Sequence, residues 1–106
     1  MSFSATLSRN GKTALITLAG ELDAMTAPAF GQQVDRAAEG DVERLVLDMT
    51  NLSYLSSAGL RGLVFARQKM ADDVQIVLVG VNDEVEQTIR LVGFHQSVVF
   101  SDRIPQ

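Results

Sequence analysis

The sequence has 106 residues, 46% of them hydrophobic, and a formal net charge of −4 at pH 7. That length suits one domain, expected over residues 1–106, and leaves no room for a second. The acidic balance argues against nucleic acid and anionic lipid as partners, the lack of cysteine removes disulfides and thiolate sites, and no run approaches the roughly 18 apolar residues of a membrane span, so a cytoplasmic protein without membrane insertion is expected.

Phe3, Ala5 and Leu7 alternate with Ser4, Thr6 and Ser8, the period-two pattern of a half-exposed strand, and Asn10-Gly11 then offers hairpin chemistry before a second strand from about Lys12 to Ala19. Gly20-Glu21-Leu22-Asp23 is expected to break that strand. Thr26 can cap the helix that follows, with Pro28 in its first turn and Phe30, Val34, Ala37 and Ala38 on its apolar face. Gly40 is expected to end it in a left-handed conformation. Leu45-Val46-Leu47 is a continuous apolar run of the kind found in strands covered on both faces, which makes it the expected central strand.

A second helix is expected from Ser57 to about Ala71, burying Leu60, Leu63, Val64 and Met70, and a further strand from Val74 to Val79. Asn82 then caps a third helix that buries Val85, Ile89 and Val92 and stops at Gly93, before a short closing strand at Val98-Val99-Phe100. The fold class is therefore α/β, in the order ββαβαβαβ. Right-handed crossovers make the expected five-stranded sheet mixed but mostly parallel, with three main helices.

The segment Asp48-Met-Thr-Asn-Leu-Ser-Tyr-Leu-Ser-Ser-Ala-Gly-Leu-Arg61 places two adjacent serines where a strand gives way to a helix. A helix N-terminus presents unpaired N–H groups and about half a positive charge, so a serine there can serve as a cap and an added phosphate is accommodated. Either Ser56 or Ser57 can fill the plain role of N-cap. On a helical projection Ala58, Arg61 and Phe65 fall away from the Leu60/Leu63/Val64 face and could form a contact patch beside Ser57, although a large aromatic such as Phe65 is more commonly buried against a neighbouring helix.

Leu55-Ser-Ser-Ala-Gly-Leu-Arg61, following Asp48-Met-Thr-Asn-Leu52, resembles the loop of STAS domains, whose usual form is Asp-Ser-Ser/Ala-Gly-Leu. Gly20-Glu-Leu-Asp-Ala-Met-Thr-Ala-Pro28 is similar to that family's other recurring stretch, and the likeness spans roughly Ser4 to Phe100. It implies an anti-sigma factor antagonist and not an enzyme. In that mechanism the unphosphorylated protein binds an anti-sigma factor with serine kinase activity and frees the sigma factor, phosphorylation ends the binding, and a serine phosphatase reverses it. Aligning Gly59-Leu60 with the family puts Ser57 on the phosphorylated serine and Ser56 on the usual aspartate. That departure leaves Ser56 as the less favoured acceptor. The resemblance also implies a partner surface of Asp23, Ser56, Ser57, Ala58, Gly59 and Arg61, while Asp23 has an equal claim to plain turn chemistry.

A different class of function, a STAS scaffold subunit of a transporter or larger signalling complex, would make Ser57 a helix cap only. Serine-nucleophile catalysis is disfavoured because Leu55 stands where a nucleophile elbow has glycine and because His95, the one histidine, follows a helix-ending glycine as a surface or capping residue. Gly11-Lys12-Thr13 lacks the earlier glycine of a phosphate-binding loop, and the carboxylates do not stand with histidine at metal-ligand spacing. No cofactor and no metal are expected.

Overall fold

The computed structural model describes residues 3–105, so the expected domain bounds at Met1 and Gln106 lie outside the described residues. The elements run β1 (Ser4–Asn10), β2 (Thr13–Leu22), α1 (Ala27–Ala38), β3 (Arg44–Leu55), α2 (Ser57–Lys69), β4 (Gln75–Val79), α3 (Asp83–Leu91), a 3-10 turn (Phe94–Ser97) and β5 (Val99–Ser101). They form one sheet in the order β1-β2-β3-β4-β5, with β1 antiparallel to β2 and every other pair parallel. The expected architecture holds, and β3 is the middle strand.

The β1–β2 hairpin pairs Asn10 with Thr13, so its two-residue loop is Gly11-Lys12, one position later than Asn10-Gly11. Gly11 has φ +62° and Lys12 does not have a positive φ, the signature of a type II′ turn whose first loop residue must tolerate that region. The hairpin's twist suits the inward alternation of Ala14, Ile16 and Leu18, all fully buried. These share a face with Leu45, Leu47, Ile76 and Leu78, and the core residues of all three helices pack there: Phe30 and Val34 from α1, Leu63 and Ala66 from α2, Val85 and Ile89 from α3. The opposite face carries a separate small cluster of Val46, Val77 and Val79 with Leu15 beside it. The apolar run Leu45-Val46-Leu47 is therefore buried on both sides, with the helices confined to one of them.

Four local expectations are corrected. Gly20 does not end β2. The strand passes through it at φ +96° to Leu22, because β3 carries one extra residue between the pairs Thr17–Asp48 and Ala19–Asn51 and another between Gly20–Leu52 and Glu21–Tyr54. These bulges reset the alternation of β3, whose burial then recurs every third residue at Met49, Leu52 and Leu55. Gly40 is not left-handed. It lies beside the Arg9 guanidinium, 2.7 Å from Nη1 to where a Cβ would be, and that guanidinium donates to the carbonyls of Arg36 and Ala37 at the end of α1. Val92 lies beyond the last turn of α3 and is 60% exposed, although Gly93 does stop that helix with φ +81°. His95 is half-buried in the 3-10 turn, and its Nδ1 is buried without a hydrogen-bond partner, so it is not the surface residue expected.

Among the described residues no helix is long and apolar enough to cross a membrane.

Candidate functional site

Pairing between β3 and β4 stops at Asp48–Val79, so the last seven residues of β3 run on beside β2 alone and carry the chain to the carboxyl end of the sheet. There Leu22 and Leu55 are the final pair, and the Ser56 N–H donates to the Leu22 carbonyl at 3.0 Å. That bond fixes the direction in which α2 departs. The site is the junction of three segments: the turn after β2, the end of β3 and the first turn of α2.

The two serines divide the roles left open by the sequence. Ser56 is the N-cap, with extended backbone (φ −86°, ψ 174°), and its Oγ accepts from the Gly59 N–H at 3.1 Å. Its carbonyl accepts from the Leu60 N–H at 2.8 Å. Ser57 is the first residue of the helix, exposed, and among the described residues its hydroxyl has no hydrogen-bond partner. The departure from aspartate at position 56 is thus conservative in local chemistry, since aspartate and serine are both strong N-caps.

Gly59, two residues on from Ser57, is buried beneath this turn. A Cβ there would sit 2.2 Å from the Leu22 carbonyl oxygen and 2.9 Å from Leu55 Cδ1, so only glycine lets α2 start this close to the end of β2. Gly62 in the next turn is under no such constraint, since a Cβ there would make ordinary contact with Phe30 at 3.4 Å.

Asp23 is half-buried in the turn between β2 and α1, where its Oδ1 accepts from the N–H groups of Met25 at 2.9 Å and Thr26 at 3.1 Å. Thr26 occupies the N-cap position of α1, yet its hydroxyl does not cap the helix as expected. It turns back to donate to the Glu21 carbonyl at 2.7 Å and accepts from the Asp23 N–H at 2.9 Å. The result is a rigid polar knot that holds the turn beside α2. Asp23 performs the turn chemistry open to it in the sequence and lies at the same end of the sheet as Ser57.

Of the remaining candidates, Ala58 is half-buried and Arg61 is exposed one helical turn beyond Ser57. Phe65 departs from its expected burial: it lies against α1, with its Cε2 3.9 Å from where a Gly31 Cβ would be, but remains 40% exposed. Two exposed apolar side chains at this end were not anticipated, Met25 at 87% and Tyr54 at 44%. Met25 stands in a turn too short to reach the core. Tyr54 is displaced outward by the second bulge of β3.

Among the described residues no group of three or more His, Asp or Glu side chains is placed to hold a metal ion.

The sequence matches the STAS domain over residues 4–105. The chain belongs to the STAS domain family. The anti-sigma-B factor antagonist of Listeria monocytogenes is 35% identical to this STAS chain over 81 residues, covering 74% of this chain and 69% of that protein. The crystal structure of an anti-sigma factor antagonist from Mycobacterium paratuberculosis superposes with a TM-score of 0.87 at 21% identity, covering 97% of this chain and 88% of the other. The Bacillus cell fate determinant SpoIIAA in its phosphorylated form gives a TM-score of 0.74 at 17% identity, covering 94% of this chain and 93% of that one. The last two establish that the STAS fold seen here is shared.

Proposed function

We propose that this STAS chain, acting as a single domain, is an anti-sigma factor antagonist that works by partner switching. Unphosphorylated, it binds an anti-sigma factor with serine kinase activity, and the sigma factor is released. A phosphate on Ser57 ends that binding, and a separate serine phosphatase restores it. ATP binds on the kinase's side, so this chain contributes the acceptor hydroxyl and is not the enzyme of the pair.

The observation that carries the reading is the free Ser57 hydroxyl. Ser56 is occupied as the cap, so a kinase meets one unencumbered hydroxyl at the start of α2. A phosphate there adds about 1.5 to 2 negative charges and steric bulk to a contact surface, which disfavours binding without any large rearrangement of the fold. Asp23 lies at the same end of the sheet and Ala58 and Arg61 follow Ser57 on α2, while the exposed Met25, Tyr54 and Phe65 supply apolar contact area. Similarity to an antagonist of an anti-sigma factor supports the class of partner.

The test is to incubate the protein with ATP and a candidate kinase-type anti-sigma factor, map the phosphate by mass spectrometry, and titrate Ser57→Ala, Ser57→Asp and Ser56→Ala against the partner. Phosphate on Ser57 is expected, with Ser57→Ala binding as the parent does and Ser57→Asp weaker by about a hundredfold, since like charges brought together at an interface cost several kcal/mol. Equal binding by Ser57→Ala and Ser57→Asp, or no phosphate at all, would sink the switch and leave a constitutive scaffold.

A further inference from the structure

We infer that Arg61 is the internal counter-ion of a phosphate on Ser57, so that modification withdraws a cation from the partner surface as well as adding an anion to it. The inference rests on the partner-switching reading for the place of the phosphate.

The chain has nine lysines and arginines, all among the described residues. Seven are already engaged. Arg9 and Arg67 donate to backbone carbonyls. Lys12, Lys69 and Arg90 meet carboxylates, and Arg36 and Arg44 meet glutamine side chains. Among the described residues only Arg61 and Arg103 have no side-chain hydrogen bond or ion pair. Arg103 follows β5, two strands away from the strand whose end carries Ser57. Arg61 is four residues after Ser57 on the same helix.

Four residues on an α-helix advance the side chain by about one turn and return it to the same face, with Cβ atoms roughly 5–6 Å apart. An anion N-terminal to a cation at this spacing is the favoured order, and at position 57 the phosphate also suits the positive end of the helix dipole. A phosphate offers three acceptor oxygens to a guanidinium that can bind two of them at once. Nothing on the helix competes for the arginine: the first turn of α2 contains no acidic residue, and Phe65, the next residue along the same stripe, does not hold Arg61 in a cation–π contact, the one such pair among the described residues being Arg90 over Phe100. In the unphosphorylated protein the exposed Arg61 is free to meet a carboxylate of the partner. In the phosphorylated protein it turns back toward the start of the helix. Withdrawing this cation weakens binding only where the partner face opposite Arg61 is acidic.

Phosphoserine installed at position 57 during translation, by amber-codon incorporation, makes the test independent of any kinase. In the isolated protein, phosphorylation is expected to shift and sharpen the Arg61 Nε–H resonance and to raise Tm by about 4 °C, with roughly half that gain left in Arg61→Gln. An unchanged Arg61 resonance together with equal Tm gains in the two proteins would overturn the inference. Against the anti-sigma partner, the ratio of phosphorylated to unphosphorylated Kd is expected to be about tenfold smaller in Arg61→Gln than in the parent, and equal ratios would show that Arg61 is not withdrawn. If phosphoserine at 57 leaves partner binding intact in both proteins, the switching reading fails, while the resonance and Tm still decide the ion pair.

Discussion

α2 and α3 begin alike and are charged differently. Each follows a parallel strand, and each has an extended N-cap whose side chain accepts from the third helical N–H, Ser56 from Gly59 at 3.1 Å and Asn82 from Val85 at 2.8 Å. The first turn of α3 then carries Asp83, Glu84 and Glu86, which compensate the positive end of the helix. The first turn of α2 carries no acidic residue. Its partial positive charge is left open next to an exposed hydroxyl. The third helical residue differs too: Val85 fills the core under α3, whereas Gly59 leaves room for the β2 carbonyl under α2. Capping is thus a shared device of the fold, and what sets α2 apart is a first turn without acidic residues that is seated on glycine.

Substitutions at matched positions test that contrast, and the largest effect is expected at the third helical residue. Gly59→Ala drives a methyl into backbone and should cost about 3 kcal/mol or more, lowering Tm by over ~10 °C in differential scanning calorimetry. Val85→Ala makes the opposite change in volume and should cost about 2 kcal/mol by loss of two buried carbons. A well-tolerated Gly59→Ala would mean that α2 can slide away from β2, and the close approach would lose its meaning.

At the caps, Ser56→Ala and Asn82→Ala should each cost about 1 kcal/mol, read from urea midpoints, while Ser56→Asp should keep full stability. A loss on Ser56→Asp equal to that on Ser56→Ala would contradict the equivalence of serine and aspartate at this position. The smallest effects are electrostatic. Ser57→Asp should stabilise the isolated protein by about 0.5 kcal/mol, and Glu84→Gln should destabilise it by a similar amount, both shrinking as salt is raised. The same Ser57→Asp change that is expected to weaken partner binding should therefore strengthen the fold, a sign difference that separates a surface effect from unfolding.

Much of the fold was legible because its signals are local. The alternation Phe3/Ala5/Leu7, the apolar run Leu45-Val46-Leu47, and Asn82 ahead of Val85 each announce an element within a few residues. What could not be read depends on partners distant in sequence. Gly20 looks like a breaker until β3 supplies two extra residues to pair around it, and Gly40 looks like a left-handed stop until Arg9 arrives from β1. Val92 fits the period of α3, but the helix ends one residue too soon to use it. At the site, the sequence located the two serines and the Asp23 turn but could not divide the cap from the free hydroxyl, because that depends on where β3 ends, and its last pair is with Leu22, more than thirty residues away in sequence. Met25 and Tyr54 escaped notice because an apolar residue in a turn or bulge carries no periodicity to reveal its exposure.

The Arg9 contact has a dynamic consequence. With its guanidinium on the carbonyls of Arg36 and Ala37, beside Gly40, the tip of the β1–β2 hairpin is clasped to the last turn of α1. Loops and helix ends are usually among the first places in a fold to open. Here neither can open without releasing the other, so their amides should exchange with solvent as one cooperative unit. The clasp lies at the amino end of the parallel strands, opposite the serines, so the two ends of the sheet are tied down by separate contacts, Arg9 on α1 at one and the Asp23–Thr26 turn at the other.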